Sequence, residues 1–206
     1  MEEKAKGFML LVTGPSGVGK SSLLQWLMQQ DARLCFSVSC TTRPSREGEI
    51  DGRDYYFISR EDFESRVQAG EFVEWAEVHG NYYGTLASEL VQAESGGLIA
   101  VLEVDVQGGV NVIRRFGGRV LSVFVFPPSM EVLEQRLRGR CTDDEQTIER
   151  RLANARGELE QRNWYRFWLL NEDRERARKD LLSIFRAEEL RREHWGEPPE
   201  IGRAHV

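Results

Sequence analysis

The sequence predicts an α/β fold in which a parallel sheet is covered by helices on both faces. Short apolar runs recur at residues 8–13, 36–39, 98–105 and 120–126, with a weaker one at 167–171. Except at 36–39, where Phe36 and Val38 alternate with serines, they are mostly continuous apolar runs, as strands buried on both sides are. Segments with apolar residues at helical spacing separate most of them, at 20–30, 107–116 and 130–138. Alternation of strand and helix makes neighbouring strands parallel. A chain of 206 residues, 40% hydrophobic and 30% charged, suits one such core with inserted segments.

The first strand runs directly into Gly14, Pro15, Ser16, Gly17, Val18, Gly19, Lys20 and Ser21, which together fit G-x-x-x-x-G-K-[ST]. The glycines let the backbone turn and aim successive N–H groups at phosphate oxygens. Lys20 adds a point charge for β- and γ-phosphates, and the Ser21 hydroxyl suits Mg²⁺. The helix that follows presents its positive dipole end to the same anion. Strand, loop and helix in that order predict a P-loop NTPase-type sheet that binds a nucleoside triphosphate.

Two stretches interrupt the alternation. Residues 40–84 are polar and aromatic, with strand-like pieces at 54–58 and 72–78 around a helix that Ser59 can cap. Residues 139–158 are dense in charge, and Thr142 to Glu145 reads as a capping box opening a helix. Both lie where segments would overhang the carboxyl ends of the strands, the edge at which open α/β sheets bind ligands. Ser129 is the expected cap of the helix at 130–138. A last helix is expected over 173–193, carrying Leu181, Leu182, Ile184, Phe185 and Leu190, with a frayed tail beyond.

Arg43 and Arg46 are separated by Pro44 and Ser45, too close to an X-Pro bond for an ordinary helix face. Two planar guanidinium forks on one loop, with Tyr55 further on, can clamp a second phosphate. Spacing alone leaves the alternative open that they are solvated surface charges. A net charge of −6 lacks the basic face of a general nucleic-acid binder. No apolar stretch approaches a membrane span, and the N-terminus has no secretory signal core, so no membrane partner and no export are expected. Three cysteines without metal spacing fit a reducing, cytoplasmic setting.

Five stretches carry a closer resemblance. They are the loop at 14–21, the segment from Ser37 through Arg43, Arg46 and Glu49, the run Asp54 to Phe57, the run Gly80 to Thr85, and Val104 to Gly108. In order and spacing they closely resemble guanylate kinases, and the likeness runs from about residue 7 to 190. The resemblance implies a single domain over 7–190: a core of 7–39, 85–138 and 159–190, a GMP-binding lobe over 40–84 and a lid over 139–158. Residues 191–206 are then a tail.

It also implies transfer of the ATP γ-phosphoryl group to GMP, and to dGMP, with Mg²⁺. The GMP phosphate would be held by Arg43, Arg46, Tyr55 and Tyr83, and guanine read by Ser39, Glu74 and Asp105 with Thr85 close to the base. Carboxylates suit guanine because N1–H and the 2-amino group are donors, which adenine does not offer. Lid arginines Arg136, Arg140 and Arg151 would meet ATP phosphates, and Asn171 the adenine. Lys20, Arg43, Arg140 and Arg151 would serve the transfer itself. Two departures stand out. Glu103 replaces the family's usual aspartate in a role near Mg²⁺, and Cys40 stands beside Ser39. A GTPase would instead carry Asn-Lys-x-Asp, which is absent.

Overall fold

The computed structural model describes residues 7–78, 80–139 and 144–191. Its elements begin with β1 (Met9–Thr13), α1 (Lys20–Gln30), β2 (Leu34–Phe36), β3 (Ser39–Thr41), β4 (Tyr56–Phe57) and α2 (Arg60–Gln68). There follow β5 (Phe72–Val78), β6 (Asn81–Leu86), α3 (Ala87–Ser95), β7 (Ile99–Glu103), α4 (Val106–Phe116) and β8 (Val120–Phe126). The chain continues through α5 (Met130–Arg138), α6 (Glu145–Glu160), β9 (Phe167–Leu170) and α7 (Arg174–Glu189).

The central sheet has the order β2-β7-β1-β8-β9, with all four pairings parallel. This is the expected fold. Leu10 and Val12 point into one apolar layer, formed with α1, α5, α6 and α7, while Met9 and Leu11 point into another beneath α3 and α4. All four are buried. Removing each such side chain from water contributes roughly 1.5–3 kcal/mol, so both faces of β1 hold the loop that follows it.

The expected strand at 36–39 divides. Leu34–Phe36 pairs with β7, whereas Ser39 opens a second sheet of order β4-β3-β6-β5. Ser37 and Val38 carry the chain from one sheet to the other. The second sheet begins at Ser39 and its strand β6 ends at Leu86, just outside the 40–84 range. Helix α3 lies within 85–97, where the residue pattern gave no helix. Its hydrophobic face is short, with only Ala93 fully buried.

Caps explain most helix starts. Ser59 accepts from Asp62 N, Ser129 from Val132 N and Asp173 from Arg176 N, as oxygen-bearing side chains do ahead of a first turn. Helix α6 is capped by Asp144, which accepts from Thr147 N, rather than by a box from Thr142. Asp144 stands one position before the helix, where its carboxylate reaches the open N–H groups; Thr142 itself lies outside the described residues. Helix α7 ends at Glu189, short of 193. No helix among the described residues is long and apolar enough to cross a membrane.

Candidate active site

Where β1 ends, the backbone swings around the N-terminus of α1. Gly14 has φ 141°, and a Cβ there would collide with the Val125 carbonyl of the neighbouring strand β8. Only glycine lets the loop lie that close to the sheet. Val18 is fully buried and packs in the larger core with Leu133 and Leu137 of α5. The Lys20 ammonium donates to the carbonyls of Gly14 (2.7 Å) and Pro15 (3.3 Å). The loop is thus pinned from below by Val18 and across its mouth by Lys20.

Ser21 opens α1 and donates to Glu103 Oε1 (2.8 Å) at the end of β7. The extra methylene of Glu103 therefore does not stop it from reaching the hydroxyl. Ser16, on the loop's outer arm, accepts from Arg151 of α6 (3.4 Å). Arg136 and Asn171 act behind the loop. Asn171 Nδ2 donates to Val18 O (2.8 Å), and Arg136 donates to Val18 O (3.3 Å) and Asn171 O (2.8 Å). In this arrangement both buttress the loop and neither lines the cleft. Arg140 lies outside the described residues.

The second sheet faces the loop across a cleft of about 620 Å³. Three neighbouring strands bring Ser39, Thr85 and Glu74 into one row, since Thr85 is in register with both of the others. A β-bulge between Phe72 and Glu74 makes this possible. Phe72 stacks on Phe63 (4.4 Å between centroids), and Trp75 meets the same ring edge-on (6.4 Å). An unbroken strand would put Phe72 and Glu74 on one face. The extra residue turns Glu74 away, towards the cleft.

Glu74 is 6% exposed. Its Oε1 accepts from the Thr85 backbone N–H (3.1 Å) and hydroxyl (2.7 Å), while Oε2 abuts Gly108 in the first turn of α4, where a side chain would not fit. Burial pushes its carboxyl up to about 7, Asp105 adds to that, and the Thr85 hydrogen bonds oppose it. Asp105 caps α4, accepting from Gln107 N (2.8 Å) and Gly108 N (3.0 Å) through Oδ1. The cap and a place on the cleft wall coexist in one residue.

Arg43 lies beside Tyr55 and Phe57, its guanidinium 5.5 and 5.7 Å from their ring centroids. Tyr55 meets Tyr83 edge-on at 5.9 Å. Arg43, Arg46, Tyr55 and Tyr83 line the cleft. Glu49 organises them: both its oxygens accept from Arg43 (2.8 and 3.0 Å), and Oε2 accepts from Arg46 N (2.7 Å). The Arg43 hydrogen bond holds the Glu49 carboxyl below its usual range.

The structure thus collects Ser39, Arg43, Arg46, Tyr55, Glu74, Tyr83 and Asp105 on the walls of one cleft with Gly14, Ser16, Lys20, Ser21, Glu103 and Arg151. Thr85 stands behind Glu74 and is 1% exposed. Among the other residues on its walls are three acids with no role assigned from sequence, Glu49, Asp54 and Glu158. The signal for Glu49 was present as an acid three places after Arg46. Cys40 is buried beside Phe63, Phe72 and Leu86, and desolvation pushes its thiol up to about 11. It is a packing residue.

The guanylate kinase family's sequence model matches residues 6–188. A guanylate kinase of Symbiobacterium thermophilum is 44% identical over 191 residues, covering 93% of this chain and 90% of the relative. One from Chromobacterium violaceum is 46% identical over 185 residues, covering 90% and 88%. The crystal structure of guanylate kinase from Anaplasma phagocytophilum superposes with a TM-score of 0.74 at 34% identity, covering 93% of this chain and 90% of that one. A cleft with a phosphate loop on one wall and a buried acid on the other, in a chain so related, belongs to the guanylate kinase family of nucleoside monophosphate kinases.

Proposed function

We propose that the protein transfers the γ-phosphoryl group of ATP to GMP, giving ADP and GDP, with the two nucleotides held at opposite ends of the cleft. The observation that carries this reading is the facing of the Lys20 loop by the Glu74, Thr85 and Ser39 row. ATP phosphates are assigned to residues 14–21, with Arg136, Arg140 and Arg151 supplying further positive charge and Asn171 on the adenine side. The GMP phosphate is assigned to Arg43, Arg46, Tyr55 and Tyr83. Guanine is assigned to Ser39, Glu74, Thr85 and Asp105, whose carboxylates can accept from N1–H and the 2-amino group. An adenine there would leave a buried carboxylate unpaired, at a cost of about 1–3 kcal/mol.

A phosphate oxygen of GMP attacks the γ-phosphorus, and the bond to the β–γ bridging oxygen breaks, its electron pair leaving with ADP. No general base is required, because the second pKa of a phosphate monoester is about 6. The chain's contribution is alignment and charge: Arg43 and Arg46 fix the acceptor, while Lys20, Arg140 and Arg151 neutralise the migrating group. Glu49 holds Arg43 in the orientation its aromatic neighbours allow.

Ser21 and Glu103 offer a hydroxyl and a carboxylate, hard oxygen donors of the kind Mg²⁺ takes. They fit a Mg²⁺ held by Ser21, with Glu103 acting through water. Such an ion would neutralise phosphate charge when bound. The same reading assigns 7–190 to one domain, with 40–84 as its GMP-binding lobe and 139–158 as its lid. It also places the protein in the cytoplasm, which the free thiols Cys35 and Cys40 support. The test is coupled ADP release with GMP, dGMP, AMP, CMP and UMP side by side. GMP should exceed AMP by on the order of 10- to 100-fold in kcat/KM, and equal rates would sink the reading.

A further inference from the structure

One carboxylate on the cleft wall has no task in the reaction as described. Glu158 lines the cleft with Lys20, Asp105 and Arg151. It stands two turns along α6 from Arg151, on the same side of the helix. The helix that lays Arg151 against Ser16 therefore also lays Glu158 towards the floor, where Lys20 and Asp105 lie. The adjoining face of α6 is anchored: Ile148 and Ala155 are buried in the larger core, and Leu159 packs against the smaller one. Packing of the helix sets where Glu158 sits.

An acid in a cleft built for phosphates works against binding, through like-charge repulsion and the cost of burial. Glu158 has no hydrogen-bond partner among the described residues that would repay that cost. Burial raises its pKa, Asp105 acts in the same direction, and the Lys20 ammonium opposes both. Lys20 is the cation that acts on it, and the two share the cleft wall. In this structure that ammonium is turned down onto the Gly14 and Pro15 carbonyls, so for transfer it must rise towards the phosphates.

We propose that Glu158 is a positioning residue for Lys20, attracting the ammonium off the loop carbonyls and into the cleft. The orientation of Lys20 then depends on how α6 is seated, and α6 also carries Arg151. Charge delivery from above and from below the migrating group is thereby tied to one helix. This inference rests on the phosphoryl-transfer reading.

The test is a double-mutant cycle in the full chain, read by ADP release with ATP and GMP and by single-turnover rates where turnover is slow. Glu158→Gln should lower kcat about tenfold and leave KM for GMP within twofold. Glu158→Asp should recover most of that loss, and thermal melts of neither variant should fall below the parent, because Glu158→Gln only relieves a buried charge. In a Lys20→Met background, Glu158→Gln should change the rate by less than twofold, since no ammonium remains to be positioned. Full kcat in Glu158→Gln, or an undiminished tenfold loss in the Lys20→Met background, overturns the inference while leaving GMP kinase activity intact. A parent enzyme inactive on GMP overturns the functional reading itself and this inference with it.

Discussion

The two walls of the cleft are built on different principles. The loop at 14–21 is mostly backbone. Its shape comes from a glycine pressed against β8, a valine sunk in the core and a lysine bridging two carbonyls. Such a wall recognises phosphate and is indifferent to what the phosphate is attached to. The opposite wall is mostly side chain: Ser39 and Glu74 aligned through Thr85 across three strands, and Arg43 beside Tyr55 and Phe57. On the proposed assignment, affinity for the donor is a property of chain geometry, and choice of the acceptor a property of residue identity.

That division can be broken at either wall. The largest effect is expected at Lys20: Lys20→Ala should cut kcat/KM on the order of 10²–10³-fold for every acceptor, with the ranking of bases unchanged, as steady-state ADP release would show. A change in ranking would mean that the loop also reads the base. Next come the acceptor-wall variants. Glu74→Gln should lower kcat/KM for GMP by about 30- to 100-fold and narrow the GMP/AMP ratio, through loss of a charged acceptor worth about 2–3 kcal/mol. Arg43→Ala should weaken GMP, AMP and CMP alike, since it addresses only the phosphate.

A smaller effect concerns pH. Glu74 has its carboxyl raised to about 7, and the proposed pairing with guanine N1–H and the 2-amino group uses the ionised form. KM for GMP should therefore fall about tenfold between pH 6 and pH 8. Ionisation of the GMP phosphate contributes to the same trend, so the diagnostic is that Glu74→Gln flattens the profile. In the empty protein the sign is opposite. A folded pKa above the unfolded 4.5 favours folding fully below about pH 4.5, and that contribution is lost as pH rises through about 7. Denaturant melts of the parent against Glu74→Gln between pH 4.5 and 8 should show a relative loss on the order of 3 kcal/mol. The smallest effect is at Cys40, where Cys40→Ala should leave kcat/KM within twofold and remove no fast-reacting thiol in a labelling assay.

The same contrast governs what could be read from residues alone. The donor wall is contiguous in the chain, so loop, strand and helix were all visible around Gly14 and Lys20. The acceptor wall is assembled from positions far apart, and its register depends on a bulge that no local pattern announces. Its residues were legible only through likeness to a family whose motifs recur at 37–49, 54–57 and 80–85. The strand at 36–39 misled because Phe36 and Ser39 are both strand residues, though of different sheets, and hydrophobic pattern cannot mark a change of sheet. Helix α3 leaves no clear pattern in the sequence because it buries so little. Glu158 went unassigned because its relation to Lys20 arises only when α6 folds back over the loop.

The bulge in β5 leaves Trp75 on the far side of the strand from Glu74, 43% exposed and edge-on to Tyr82 at 5.7 Å. The chain thereby carries an intrinsic fluorophore one residue from the acid assigned to guanine, yet outside the cleft. Subtracting the emission of a Trp75→Phe variant would isolate its spectrum from the other indoles, so occupancy of the acceptor end could be followed optically without a label.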